Sequence, residues 1–283
     1  MRISLKPLIA ALFAFAVATP GWAQGSPREE VIRIPAASGA MLVTTVLRPA
    51  GEARRPLVVM NHGSPADSAQ RPKMERARYS TISSWFVSQG YVVALPMRRG
   101  YGETGGAWAE NYGKCDSPDY YGAGLQGAAD IRATIDFMRG QPFVAPDRTI
   151  VVGQSAGGWA TVALSSLNPP GVSGMVNFAG GRGGHMKLPG GGLGNCAPDA
   201  LVQAAAKYGA TARTPMLWIY TENDSFFAPA LVKRMVAAYD AAGGRATFRP
   251  VGAFGRDGHQ LAGSESGAPI WQPLVQNFLA NLK

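Results

Sequence analysis

Histidine is scarce in this chain: His62, His185 and His259 are the only three among 283 residues. Any proton transfer that depends on imidazole must use one of them. Cysteine is scarcer, with Cys115 and Cys196 alone, and their spacing does not suggest a structural zinc site, which takes four soft ligands. Charge is thin as well, at 16% of residues. The net charge of +9 is scattered apart from pairs such as Arg54-Arg55 and Arg98-Arg99, and no basic run is interleaved with aromatics, so nucleic acid is not an expected partner. No apolar run reaches the roughly 20 residues of a membrane-spanning helix.

What is abundant is apolar: 46% of the residues, enough for a sizeable core. The N-terminus, "MRISLKPLIAALFAFAVATPGWAQG", has Arg2 and Lys6, an apolar run from Leu8 to Ala18, then the small residues Gly21 and Ala23. That pattern predicts a cleaved signal peptide over 1–23 and a single domain over 24–283, periplasmic or secreted, with no membrane span once the leader is removed. In such an oxidising compartment Cys115 and Cys196 could pair, which would stabilise the fold by roughly 4 kcal/mol in the chain-entropy model. Two separate thiols are the alternative.

Two β-rich runs, "VIRIP" and "MLVTTVLRP", are followed by strands alternating with helices. "PLVVMNHG", "YVVALPM", "TIVVGQS", "GMVNFAG", "PMLWIYTEN" and "ATFRPVG" read as strands. "RARYSTISSWFVSQG", "GLQGAADIRATIDFMRG", "AGGWATVALSSL", "PALVKRMVAAYDAAG" and "IWQPLVQNFLANL" read as helices. Such alternation predicts an α/β fold, a mostly parallel central sheet with helices on both faces. Two stretches break the rhythm and are expected as loop insertions over the active-site edge, 101–123 and 180–214. Each holds one cysteine, so a disulfide would tie them together.

"GQSAG", Gly153 to Gly157, fits G-x-S-x-G between a strand and a helix, the context that gives the motif its meaning. A serine hydroxyl is a weak nucleophile, so Ser155 needs a base and an acid to orient that base. The chain order expected for such a turn is serine, acid, histidine. His259, in "FGRDGHQL", leaves room for a strand-end carboxylate before it, and Asp224 in "YTEND" is the first choice. Glu222 and Asp257 compete, although Asp257 lies so near His259 that stabilising its own loop is the simpler role. An oxyanion site needs two backbone N–H groups. Ala156, at the start of a helix, should give one, and Ser64, after "MNH", the other. His62 would then shape that turn.

From about Met41 onward the chain resembles the α/β-hydrolase superfamily, and within it the dienelactone hydrolase-like and peptidase-S9-like single-domain hydrolases. The resemblance rests on "NHGSP", "RRGYGETGG", "DIRATIDFM" before "GQSAGG", then "YTEND" and "GHQL". It implies an α/β-hydrolase fold and a Ser155–His259–Asp224 triad. One departure matters: dienelactone hydrolases proper use a cysteine nucleophile, whereas this turn holds Ser155, so opening a dienelactone is not the expected reaction.

The reading that follows is a serine esterase acting on a small-molecule or oligomeric ester, with neither metal nor organic cofactor. A peptidase or amidase of S9-like type is the enzymatic alternative, and a ligand-binding protein that keeps the fold without catalysis is the other. Specificity is expected in the insertions. Tyr101, Tyr121 and His185 are candidate substrate contacts, and Trp108, Tyr112, Tyr120, Met186 and Leu188 add apolar surface. Phe226, Phe227 and Trp159 are expected to pack the core.

Overall fold

The strand at the centre of the sheet is long and apolar toward its end: β5, Val144–Gln154, buries six consecutive residues from Thr149 to Gln154. A run buried on both faces must be covered by helices on both sides. A computed structural model of the chain, describing residues 27–36, 39–187 and 193–282, shows that arrangement. The proposed signal peptide lies outside the described residues, as does Leu188.

The strands before it are β1 (Arg28–Pro35), β2 (Met41–Arg48), β3 (Arg55–Asn61) and β4 (Val92–Pro96); those after it are β6 (Val172–Phe178), the short pair β7 (Met186–Lys187) and β8 (Leu193–Gly194), then β9 (Met216–Thr221) and β10 (Ala246–Val251). The main sheet has eight strands in the order β1-β2-β4-β3-β5-β6-β9-β10. From β4 to β10 all neighbours are parallel, and β2 joins β1 and β4 antiparallel. The predicted mostly parallel sheet is therefore the one observed.

The helices are α1 (Ser80–Ser88), α2 (Tyr120–Arg139), α3 (Ala156–Ser165), α4 (Pro198–Gly209), α5 (Pro229–Ala241) and α6 (Ala268–Ala280). One core cluster joins the sheet to α2, α3, α4 and α5 through Ile131, Trp159, Tyr208 and Met235. A second, on the other face, joins it to α1 and α6 through Phe86, Trp271 and Phe278.

Two expectations about the insertions need correction. The stretch 180–214 is not loop throughout, because Pro198 at the first turn starts α4 and Leu201, Ala204, Ala205 and Tyr208 fall on its buried face. The glycine-rich run ahead of it hides this spacing. The first insertion ends early, since α2 begins at Tyr120, with Asp119 capping it by accepting the Gly122 N–H at 2.7 Å. Cys115 and Cys196 are bonded, with 5.5 Å between their Cα atoms, so the two segments are tied together.

Candidate active site

Parallel strands end on one side of the sheet, and loops at those ends converge. His62 to Ser64 follow β3, Ser155 follows β5, Gly180 to Gly184 follow β6, Asp224 follows β9, and the 3₁₀ turn Gly258–Gly263, with His259, follows β10. Five separate segments thus meet at one edge.

Ser155 sits between β5 and α3 with φ 55° and ψ −120°. A positive φ is costly for a residue with a side chain and persists only where the surroundings enforce it. Here the Ser155 N–H donates to the Phe178 carbonyl at 3.0 Å, and its own carbonyl accepts from Trp159 N at 2.9 Å and Gly181 N at 3.3 Å. The glycines of the motif are sterically required: a Cβ on Gly157 would collide with the Asn61 carbonyl, and one on Gly153 with the Gly157 carbonyl.

Asp224 and His259 are brought together, both nearly fully buried. His259 Nδ1 lies 3.0 Å from Asp224 Oδ2 and 3.1 Å from Oδ1, while Oδ1 also accepts the N–H groups of Phe226 and Phe227 at 2.8 and 3.1 Å. Four bonds therefore fix the carboxylate, and the carboxylate fixes which nitrogen of His259 carries hydrogen. Asp257 does something else. It accepts from the His259 N–H at 3.0 Å and from Ser225 N and Oγ at 3.0 and 2.7 Å, holding the loop, and burial alone would raise its carboxyl, but these bonds outweigh that and lower it. Glu222 is exposed.

A small, open cleft lies beside Ser155, and Ser64 and Ala156 line it too. Ala156 is the first residue of α3, so its N–H has no partner within the helix. In the β3 turn, Gly63 N donates to Tyr79 Oη at 3.0 Å, whereas Ser64 N has no acceptor among the described residues. Both candidate oxyanion donors thus border the same space as the serine.

The turn that carries Ser64 rests on a buried polar network. His62 Nδ1 donates to the Gly63 carbonyl at 2.7 Å and its Nε2 accepts from Arg98 N at 3.2 Å. Burial, with the Arg98 charge next, pushes its pKa down to about 3, so the ring is neutral. Arg98 Nη1 donates to the His62 carbonyl at 2.8 Å, and Arg98 Nε pairs with Glu110. Arg182 Nη2 pairs with the other oxygen of Glu110, which also accepts from Tyr101 Oη at 3.2 Å. Burial alone would raise the Glu110 carboxyl, but the two guanidiniums outweigh it and hold the pKa at about 2.

Two of the proposed substrate contacts are misplaced. Tyr101 is fully buried and spends its hydroxyl on Glu110 and on Trp108 Nε1, which donates at 3.0 Å. Tyr121 lies in the first turn of α2 and stacks on Tyr208 with 4.9 Å between ring centroids, away from the cleft. His185 stacks its ring 4.7 Å from Phe226, which lines the cleft and in turn stacks at 4.1 Å on His259. Phe226 and Phe227 pack as expected, Phe227 within the core and Phe226 against it, and both also line the cleft with Trp108, Tyr112 and Met186. Trp159 is buried in α3, as expected.

Sequence reasoning missed Gln154, Tyr79, Arg98 and Glu110. Gln154 Oε1 accepts from Tyr79 Oη at 2.9 Å and its Nε2 donates to the His259 carbonyl at 3.3 Å. The only signal was position: Gln154 is the variable residue before Ser155, where a strand ends between two loops.

Fold and site together define an α/β-hydrolase fold with a serine at the strand-to-helix turn and a paired histidine and aspartate. The model of the prolyl oligopeptidase family matches residues 77–170. Among solved structures, a Klebsiella pneumoniae protein provisionally described as a dienelactone hydrolase aligns at 16% identity and TM-score 0.58, over 89% of this chain and 98% of its own. The acetyl xylan esterase of a Paenibacillus aligns at 16% identity and TM-score 0.63, over 91% and 89%. Dipeptidyl peptidase 4 of Porphyromonas gingivalis aligns at 14% identity and TM-score 0.64, over 90% of this chain and 36% of its own. No curated protein sequence matches significantly. At these identities the shared property is the fold.

Proposed function

We propose that the protein is an exported serine hydrolase that cleaves carboxylic esters through an acyl-enzyme on Ser155. The observation that carries this reading is the gathering of Ser155, Ser64 and Ala156 around one cleft while Asp224 holds His259 by Nδ1. Nε2 of His259 takes the serine proton as Oγ attacks the ester carbonyl. The N–H groups of Ser64 and Ala156 receive the negative charge on the carbonyl oxygen. His259 then protonates the leaving alcohol, and a water activated by the same nitrogen releases the acid. Asp224 stabilises the imidazolium throughout. Export is supported by the N-terminal pattern and by the Cys115–Cys196 bond, which suits an oxidising compartment.

The test is Ser155→Ala, assayed with p-nitrophenyl acetate and a panel of acetyl, long-chain and aromatic esters. Abolished turnover is expected; retention of most of the activity removes Ser155 from its role.

The match of residues 77–170 to the prolyl oligopeptidase family favours a second reading, hydrolysis of amides. Turnover of an aminoacyl-naphthylamide compared with that of the matching ester separates the two, and the ester is expected to be the faster by far.

A further inference from the structure

Two arginines, Arg71 and Arg182, are among the residues lining the cleft beside Ser155, and none of its described lining residues is acidic. The segments outside the described residues contain no Asp or Glu either. Arg182 is buried, and its one anionic partner, Glu110, is shared with the equally buried Arg98. One carboxylate between two guanidiniums leaves one positive charge uncompensated. Consistent with that, Arg182 Nε has no hydrogen-bond partner among the described residues. Asp130, the next buried carboxylate, is paired with Arg99 at 2.6 Å.

Arg71 lies in the 3₁₀ turn Ser68–Lys73 that follows the Ser64 turn. Its guanidinium lies 3.5 Å from the centre of the Trp108 ring and its Nε donates to Ser64 Oγ at 3.3 Å. Packing on the ring orients the plane of the guanidinium and leaves its charge without a carboxylate. A buried or half-buried cation without a counter-charge is costly, and an anion that enters the cleft removes that cost.

We propose that this cleft selects esters that carry a carboxylate elsewhere in the molecule, with Arg71 and Arg182 as the groups that recognise it. The inference rests on the reading of Ser155 as an ester-cleaving nucleophile and deepens it. A carboxylate suits two planar guanidiniums, each offering parallel N–H donors. It also suits a small cleft in which the ester and the anion must lie close together.

The experiment compares matched pairs on the wild-type protein: 4-acetoxybenzoate against 4-acetoxybenzamide, and ethyl hydrogen adipate against ethyl adipamate, which place the charge on the alcohol side and on the acyl side. A kcat/KM preference for the acid of about tenfold or more is expected in at least one pair, the range for a hydrogen-bonded charge. That preference should shrink in about 0.5 M salt. Arg71→Gln should bring the ratio toward one; because the ratio is taken within a single preparation, any change in the active fraction cancels. Benzoate, and not benzamide, should slow labelling of Ser155 by a fluorophosphonate. Equal turnover of acid and amide in both pairs, or a preference that survives Arg71→Gln, overturns the proposal. Preference for 4-acetoxybenzenesulfonate over the benzoate would overturn its assignment to carboxylates. Failure of every ester together with failure of phosphonate labelling strikes instead at the esterase reading.

Discussion

Arg98 and Glu110 meet with neither side chain exposed to solvent, and through that pair the carboxylate reaches the backbone of His62, one residue before the Gly63–Ser64 turn. Glu110→Gln keeps the shape and removes the charge, leaving two buried guanidiniums without a counter-ion. A loss of about 3–5 kcal/mol is expected from breaking such a pair, read as a lowered urea midpoint. In the protein that remains folded, the turn that carries the Ser64 N–H loses its support, and kcat should fall by up to about a hundredfold. Turnover per phosphonate-labelled site separates this loss from unfolding.

Acid should unfold the protein through His62. Its folded pKa, about 3, lies below the 6.5 of a free imidazole, so between these values the unfolded chain binds the proton and the folded one does not. Stability is complete above pH 6.5 and declines as pH falls toward 3, by on the order of 4 kcal/mol. Glu110, with a folded pKa of about 2 against 4.5, adds a loss below 4.5. Urea midpoints measured from pH 7 to pH 3 should fall steadily, and His62→Asn should flatten the upper part of that slope.

Asp224 and Asp257 lie near the same histidine with different tasks. Asp224→Asn should lower kcat by about 10⁴, because the imidazole is then held in the wrong tautomer. Asp257→Asn weakens bonds to Ser225 and to the His259 N–H, and a stability loss of about 1 kcal/mol is its main expected effect. Equal kinetic damage from the two would mean that the acid has been misassigned.

Replacing Cys115 and Cys196 together by serine should cost about 2–4 kcal/mol, since a long loop is no longer closed in the unfolded chain. The bond also holds the wall of the cleft: Cys196 N donates to the Gly183 carbonyl at 2.9 Å, and the Asn195 side chain bonds the Arg182 carbonyl. The double variant should therefore show a higher KM for its best ester in addition to a lower melting temperature. An unchanged KM would detach the disulfide from substrate binding.

The alternation of strands and helices was legible because fully buried strands such as β4 and amphipathic helices such as α2 have periods of their own. The candidate set Ser155, Asp224 and His259 could be drawn from chain order, with only three histidines to choose among. The support beneath it could not. Glu110, Arg98 and Arg182 are charged residues in loops, a composition that ordinarily signals exposure, and only pairing between distant segments lets them be buried. Tyr101 and Tyr121 were misplaced for a related reason: an aromatic side chain in an insertion reads alike whether it faces a ligand or the protein. Helix α4 was lost behind the glycines that precede it.

Gln154 gives the site a direction. Its carboxamide presents oxygen to Tyr79 and nitrogen to the loop of His259, and the two ends cannot be exchanged. A glutamate of nearly the same shape could still accept from the tyrosine, but its carboxylate has no hydrogen to offer the His259 carbonyl. The segment that ends in Ser155 is thereby keyed to one loop as acceptor and to the other as donor, so that a single side-chain orientation ties the Tyr79 segment, on which Gly63 N rests, to the loop of His259.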